Sequence, residues 1–250
     1  MTILQIDKVS KSFGMNKALN EVCLDIFNGE TLALVGQNGA GKSTLMKILT
    51  GAYQKDSGIE RLDGREVAIT SPAIAAKFGI AQVYQRAELV PEFTVAENIM
   101  LGQPDYACRG VVNAKSCRMK VQRLLEHYNI PLDLDEKVGN LSGALQQLVA
   151  IAKVLYKEPR IIIWDEPTAV LSDREVSILF DIIHKLKKEY RTMIYISHRL
   201  EEIFQIAERV AVMRDGMLIT VLENKDLTKD TIISQMLGHS LETMYAKKSY

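Results

Sequence analysis

The sequence predicts an α/β fold with a mainly parallel sheet that is covered by helices on both faces. Short apolar runs alternate with helical stretches over much of the chain. A glycine-rich loop joins one of these runs to a helix, and a central region shows helical periodicity alone. Strands that alternate with helices favour a parallel sheet, because parallel neighbours need a long connection that is usually helical.

The amino-terminal region predicts two half-buried strands and one fully buried strand. Polar and apolar residues alternate from Leu4 to Val9 and again from Glu21 to Phe27, as in strands with one solvent-facing side. Asn28 and Gly29 follow the second strand, and this pair predicts a hairpin. The nearly all-apolar run from Thr31 to Val35 predicts a strand that is buried on both faces.

The region from about residue 87 to residue 157 predicts an inserted helical lobe. Thr94 to Glu97 has the spacing of a capping box, so a helix is expected to begin there. Two further helices are predicted from Asn113 to His127 and from Gln146 to Tyr156. We expect these helices to form a lobe of their own.

The alternation of strands and helices returns after this lobe. Arg160 to Trp164 predicts a buried strand, Glu175 to Tyr190 an amphipathic helix, and Thr192 to Ile196 another strand. The apolar residues of the helix fall on one face: Val176, Leu179, Phe180, Ile183 and Leu186. After Gly238 the pattern is lost, and residues 239–250 are expected to begin a linker.

The composition favours a cytosolic protein that does not bind nucleic acid. The 31 basic and 31 acidic side chains give a formal net charge of +0, whereas nucleic-acid binders usually carry a clustered basic excess. The cysteines Cys23, Cys108 and Cys117 lack metal-ligand spacing and are expected to be free thiols. No signal peptide and no apolar run long enough to span a bilayer is recognised, so any work at a membrane is expected to need a partner.

The run from Gly36 to Thr44 is the first motif that carries chemistry. It lies between a predicted strand and a predicted helix, which is the setting that a phosphate-binding loop requires. Its glycines allow backbone N–H groups to turn toward phosphate oxygens at a helix N-terminus. Lys42 is predicted to neutralise the β- and γ-phosphates, and Ser43 to offer a hydroxyl to Mg²⁺. The predicted nucleotide contacts are Gly36, Asn38, Gly39, Ala40, Gly41, Lys42, Ser43 and Thr44.

Asp165 and Glu166 form the second motif, directly after a predicted buried strand. The strand is expected to bring Asp165 to the carboxyl edge of the sheet beside the phosphate-binding loop, where it would hold Mg²⁺ through water. Glu166 lies one residue further along and is predicted to be the general base for the attacking water. The two motifs together predict a P-loop NTPase.

The segment from Leu141 to Gln147 lies between these motifs and resembles the signature loop of the ABC ATPase family. The resemblance extends over essentially the whole chain. It implies ATP and Mg²⁺ as ligands and a single ATPase domain over residues 1–238. The implied fold is a P-loop NTPase core with an antiparallel β subdomain and an inserted helical lobe.

Further residues take their roles from this resemblance. Gln85 matches the Q-loop glutamine, which implies a place in catalysis and at Mg²⁺. His198 matches the switch histidine that contacts the γ-phosphate, and Phe13 matches the aromatic that stacks on adenine. Residues 167–173 match the D-loop. In the signature loop, Ser142, Gly143 and Ala144 would act on the nucleotide that is bound by the opposite ATPase half.

Within the family the chain is similar to the first ATPase half of ribose-, galactose- and xylose-type sugar importers, notably over residues 89–99 and 195–204. This implies transmembrane permease subunits and a second ATPase half as partners, and indirectly a periplasmic sugar-binding protein. It also implies a peripheral position on the cytoplasmic face of the cell membrane, and solubility in isolation. The second half is absent, so a fragment of a tandem protein is expected.

Three residues depart from the general family pattern. Ala144 replaces the second glycine of the signature, Leu145 replaces its glutamine, and Ser172 stands where many D-loops carry aspartate. A Cβ at Ala144 would obstruct close backbone approach to a phosphate. Two other functions stay open: a soluble ABC ATPase that acts on ribosomes or DNA, and a non-catalytic nucleotide-gated module.

Overall fold

The computed structural model describes residues 1–85, 88–103, 107–108, 111–112 and 114–238. The elements, in chain order, are β1 (Thr2–Phe13), β2 (Asn16–Phe27), β3 (Thr31–Gly36), α1 (Lys42–Leu49), β4 (Ser57–Leu62), β5 (Arg65–Val67), α2 (Pro72–Lys77), β6 (Ile80–Val83), α3 (Val95–Met100), β7 (Ala107–Cys108), β8 (Val111–Val112), α4 (Ala114–Tyr128), α5 (Gly143–Leu155), β9 (Ile161–Asp165), α6 (Asp173–Lys188), β10 (Thr192–Ile196), α7 (Leu200–Ile206), β11 (Arg209–Arg214), β12 (Met217–Glu223) and α8 (Lys229–Leu237). Residues 239–250, where the linker is predicted, lie outside the described residues.

A six-stranded sheet with the order β12-β11-β3-β10-β9-β6 forms the centre of the fold. All of its pairs are parallel except the edge pair β11–β12. Every residue of β10 is buried, as are residues 31–35 of β3 and 161–164 of β9. The predicted mainly parallel sheet, with strands buried on both faces, is therefore confirmed.

A separate four-stranded antiparallel sheet has the order β2-β1-β4-β5, which confirms the antiparallel subdomain. The hairpin predicted at Asn28 and Gly29 is wrong, because this turn carries the chain from β2 in the antiparallel sheet to β3 in the central sheet. The hairpin partner of β2 is β1, and Phe13 pairs with Asn16 at its turn. A turn sequence fixes the local reversal but not the sheet that the next strand joins.

The helices α3, α4 and α5 form the region predicted as a lobe. Their buried side chains belong to one hydrophobic cluster that also contains Ile162 and Trp164 of β9, Tyr195 of β10 and several residues of α6. The lobe therefore packs onto one face of the central sheet. The opposite face of the same strands packs on α1, with Ile161, Ile163 and Ile194 in a second cluster.

The capping box predicted at the start of α3 is present. Thr94 Oγ1 accepts a hydrogen bond from the Glu97 backbone N–H at 3.2 Å, and the Glu97 carboxylate accepts one from the Thr94 N–H at 2.8 Å. The predicted helix from Gln146 begins earlier, at Gly143, because the Ser142 side chain caps it. No helix among the described residues is sufficiently long and apolar to span a membrane.

Replacing Thr94 with alanine is expected to lower the free energy of unfolding by about 1 kcal/mol, because one N–H of the first turn of α3 loses its acceptor. Urea unfolding measures this loss as a lower midpoint at an unchanged slope. Thr94→Ser keeps the hydroxyl and serves as the control, for which a midpoint near wild type is expected. An equal loss in both variants would contradict the capping explanation.

Candidate active site

The carboxyl ends of the central strands border a cavity of about 540 Å³, which is within the usual range for small-ligand pockets. Its walls come from the loop after β3, the turn between β1 and β2, the turn between β11 and β12, and the ends of β9 and β10. The lining residues are Phe13, Asn16, Lys17, Ala18, Asn38, Gly39, Ala40, Gly41, Lys42, Ser43, Thr44, Asp165, Glu166, Ile196, Asp215 and Gly216. The two motifs that are far apart in sequence therefore meet here.

The loop between β3 and α1 needs glycine at two positions for different reasons. Gly41 has φ +100°, and a Cβ there would lie 2.6 Å from the carbonyl oxygen of Ala18. Gly39 has φ +82° and lines the cavity, and a Cβ at this position would meet no atom within 4 Å. A side chain at Gly39 would therefore occupy space that a ligand can use.

The first turn of α1 has free backbone donors. Its N-cap is Gly41, which has no side chain to cap it, whereas Ser142 caps α5. The first intrahelical bond runs from Leu45 N–H to the Gly41 carbonyl at 2.9 Å. The N–H groups of the preceding helical residues lack an intrahelical acceptor and lie at the positive end of the helix dipole, where an anion is favoured.

Lys42 brings a cation to this loop. Its ammonium donates to the carbonyl oxygens of Gly36 at 2.6 Å and Gln37 at 3.0 Å. Burial lowers the pKa of Lys42, and the nearby carboxylates of Glu166 and Asp165 oppose this shift. The side chain thus ties both ends of the loop together and holds its charge close to the cavity.

Asp165 ends β9 and is half-buried. Burial raises the pKa of its carboxyl, the charge of Glu166 raises it further, and a hydrogen bond from Gln82 and the charges of Lys47 and Lys42 act in the opposite direction. Gln82 Nε2 donates to Asp165 Oδ2 at 3.1 Å. A half-buried carboxylate of this kind favours a compensating cation.

Of the three residues predicted to be catalytic, Gln85 and His198 each contact the third, Glu166. Gln85 Nε2 donates to Glu166 Oε2 at 3.2 Å, and His198 Nδ1 lies 3.4 Å from Glu166 Oε1. Glu166 itself has φ +47°, and its backbone N–H donates to the Ile196 carbonyl at 3.0 Å. Left-handed backbone at a residue other than glycine is costly and is concentrated at functional sites.

Phe13 lies at the end of β1 on the cavity wall, and 45% of its surface is exposed. Its ring makes an edge contact with Tyr53 at a centroid distance of 5.3 Å, and the Lys11 ammonium lies 5.5 Å from its centroid. Tyr53 and Lys11 thus hold the Phe13 ring in place, and the exposed part of the ring is available to a flat ligand. Adenine stacking at Phe13 remains a prediction.

The signature residues are not on this cavity. Ser142, Gly143 and Ala144 form the start of α5 and are absent from the described residues that line it. Ser142 Oγ accepts from the Leu145 N–H at 3.3 Å, and a Cβ at Gly143 would meet no atom within 4 Å. This helix start therefore presents its own uncovered surface.

Sequence reasoning missed parts of the site. The turn at Asp215 and Gly216 has positive φ at both residues, as in a hairpin turn, and Gly216 N–H donates to the Ala40 carbonyl at 3.2 Å. The Asp-Gly pair signals a hairpin but not its contact with the phosphate-binding loop. Gln82 was also missed, because a polar residue inside a short strand carries no motif.

A second cavity of about 550 Å³ lies between α4 and the residues that follow α6. Two pairs of its polar side chains contact each other: His127 Nε2 lies 2.7 Å from Glu189 Oε1, and Lys120 Nζ lies 3.1 Å from Glu158 Oε1. This cavity contains none of the motif residues. The cavity at the carboxyl edge of the sheet is therefore the candidate active site.

Taken together, the loop at a helix start, its lysine and the strand-end carboxylates define a nucleotide-binding protein of the P-loop class. The sequence pattern of the ABC transporter family matches residues 19–169. The chain belongs to the ABC transporter family.

Relatives of known name agree with this assignment. Over 247 residues the chain is 44% identical to the ribose import ATP-binding protein RbsA of Corynebacterium glutamicum, and the match covers 99% of this chain and 47% of that protein. It is 41% identical over 245 residues to the protein of the same name from Streptococcus agalactiae serotype Ia, covering 98% and 50%. The chain thus spans about half the length of these relatives.

Solved structures share the fold. A nucleotide-free ATP-binding cassette from an ABC transporter gives a TM-score of 0.79 at 27% identity and covers 95% of this chain and 96% of its own. The ADP conformation of the cassette MJ1267 gives 0.80 at 27% identity, covering 98% and 99%. The predicted ABC ATPase fold is therefore confirmed.

Proposed function

We propose that this chain binds ATP with Mg²⁺, hydrolyses it, and thereby powers sugar uptake through a membrane permease. The observation that carries the proposal is the cluster at the carboxyl edge of the sheet. There Lys42 and the uncapped start of α1 face the same cavity as Asp165 and Glu166. Positive groups for phosphates and carboxylates for metal and water are what phosphoryl transfer requires.

Mg²⁺ fits the donors present, because the Ser43 hydroxyl and the Asp165 carboxylate are hard oxygen ligands that line the cavity together. When bound, the metal neutralises charge on the β- and γ-phosphates. Lys42 and the first-turn N–H groups hold the phosphates, and Phe13 stacks on adenine. We assign the contacts at the loop to Gly36, Asn38, Gly39, Ala40, Gly41, Ser43 and Thr44.

Glu166 acts as the general base for the attacking water. Gln85 and His198, which contact its two carboxylate oxygens, orient it and sense the water and the γ-phosphate. Because Gln85 follows the edge strand β6, it also connects the site to the neighbouring lobe.

Sugar import rests on the relatives, whose names state ribose import. The proposed partners are transmembrane permease subunits and, indirectly, a periplasmic sugar-binding protein, with this chain held peripherally on the cytoplasmic face of the membrane. The balanced charge of the chain favours these partners over nucleic acid.

A second ATPase half completes the active site in this proposal. Residues 1–238 form one ATPase domain, and residues 239–250 begin the link to that half, since the relatives are about twice as long. The signature residues Ser142, Gly143 and Ala144, which lie away from this cavity, cover the nucleotide that is bound by the second half. The signature of the second half covers the nucleotide that is bound by this chain.

The purified chain alone is expected to be a poor ATPase, because each copy offers its neighbour a signature with Ala144 and Leu145. Turnover per chain should rise several-fold when a second half with an unaltered signature is added. Steady-state phosphate release with ATP and Mg²⁺ measures this. An Ala144→Gly, Leu145→Gln variant is the matched comparison and should gain activity at high concentration. Full turnover of the wild-type chain at low concentration would contradict the composite site.

A further inference from the structure

Gln82 is a buried polar residue beside the proposed metal-binding carboxylate. Its surface is 8% exposed, and its Oε1 is buried without a hydrogen-bond partner among the described residues. A buried acceptor without a partner destabilises a fold relative to an apolar residue of similar volume. Folding alone therefore gives no reason for glutamine at this position.

The register of the sheet explains why Gln82 reaches Asp165. The strand β6 pairs with β9 in parallel, and Gln82 is aligned with Ile163. Paired residues of neighbouring strands project from the same face of a sheet, as do residues two positions apart on one strand. Gln82, Ile163 and Asp165 therefore all project from the same face. The amide and the carboxylate are thus diagonal neighbours on adjacent strands.

The chemistry of the pair fixes the orientation of the amide. An ionised carboxylate only accepts hydrogen bonds, so the NH₂ end of Gln82 must face it. Gln82 Nε2 donates to Asp165 Oδ2 at 3.1 Å, whereas Oδ1 has no hydrogen-bond partner among the described residues. One oxygen of Asp165 is held and the other is left for a ligand.

The edge strand supplies one amide to each carboxylate of the site. Gln82 donates to Asp165, and Gln85, which follows the same strand, donates to Glu166. The two contacts are similar in length, at 3.1 and 3.2 Å. They differ in exposure, because Gln82 is buried and Gln85 is exposed. The contact of Gln82 with Asp165 is therefore the better shielded from water.

We propose that Gln82 is a positioning residue for the metal site: it holds Asp165 Oδ2 so that Oδ1 faces Mg²⁺ or its bound water. This rests on the proposed function, in which Asp165 serves Mg²⁺. Groups that orient metal-binding carboxylates typically change metal affinity by roughly 10- to 100-fold when they are removed.

The test measures Mn²⁺, as a substitute for Mg²⁺, by electron paramagnetic resonance on the chain loaded with a non-hydrolysable ATP analogue. Gln82→Met keeps the volume and removes the donor, and Gln82→Asn keeps an amide that is too short to reach Asp165. Both should weaken Mn²⁺ binding roughly 10-fold. Affinity for the analogue without divalent metal should stay at the wild-type level, which a general loss of structure would not allow.

Two further variants serve as controls, one for the loss of a buried glutamine and one for the metal role of Asp165. Gln103→Met removes another buried glutamine, whose Nε2 donates to the Ile99 carbonyl at 3.2 Å, and should leave Mn²⁺ affinity unchanged. A loss equal to that of the Gln82 variants would overturn the inference.

Asp165→Asn should weaken Mn²⁺ binding. If it does so while both Gln82 variants stay within about twofold of wild type, the positioning role is wrong and the proposed function stands. If Asp165→Asn has no effect, the metal role fails and the inference with it. If Gln82→Met does not fold, Gln82→Asn decides.

Discussion

Replacing Lys42 with alanine is expected to weaken ATP binding by up to about 100-fold, since hydrogen bonds to charged groups contribute up to about 3 kcal/mol and 1.4 kcal/mol corresponds to tenfold. The Lys42 ammonium donates to two loop carbonyls and is attracted by the carboxylates of Asp165 and Glu166. Without it, the phosphates would lose the ammonium group that offsets the negative charges of Asp165 and Glu166. Isothermal titration calorimetry with Mg²⁺ present measures the change.

Lys77→Ala is the matched control, because it removes the same charge from the exposed last turn of α2. Its ATP affinity should equal that of the wild type. A thermal melt of both variants separates lost binding from lost folding, since Lys42 also ties the start of α1 to Gly36 and Gln37 at the other end of the loop. Unchanged affinity in a folded Lys42→Ala variant would refute the assignment of the phosphate-binding loop.

Replacing Glu166 with glutamine is expected to slow ATP hydrolysis by roughly 10²- to 10⁴-fold, which is the usual contribution of a general base. Glutamine has the size of glutamate and can keep one contact to Gln85, so ATP binding should persist. The variant should accumulate as an ATP-bound pair of ATPase halves. Turnover in the assembled transporter and size-exclusion chromatography with ATP measure the two effects.

Glu126→Gln on the exposed side of α4 makes the same chemical change away from the cavity and should hydrolyse ATP at the wild-type rate. If Glu166→Gln also turns over near the wild-type rate, another group activates the water. The contacts to Gln85 and His198 would then serve the structure of the site rather than its chemistry.

The sequence predicted those features of the site that are local in the chain. The loop from Gly36 to Thr44 needs its glycines and its lysine at fixed steps, so its pattern is visible without a structure. Asp165 and Glu166 are recognisable because they lie at the end of an apolar strand. The resemblance to a known family added His198 and Gln85, and the structure brings both against Glu166.

The missed features depend on which strands become neighbours. Asn28 and Gly29 signal a reversal, but the following strand pairs in the central sheet with β10 and β11. Gln82 matters because β6 lies beside β9 in one particular register. The contact between Gln82 and Asp165 joins residues that are 83 positions apart, and no periodicity in either segment specifies such a pairing.

The shared interior of the lobe and the sheet limits how this molecule can be dissected. Excising residues 87–157 would expose the apolar face of α3 to α5 in one fragment. In the other fragment it would expose Trp164 and Tyr195, which are fully buried in the whole chain. Each fragment would present the kind of large apolar patch that drives aggregation. We therefore expect that the lobe does not fold on its own, and that its part in an ATPase cycle has to be studied in the intact chain.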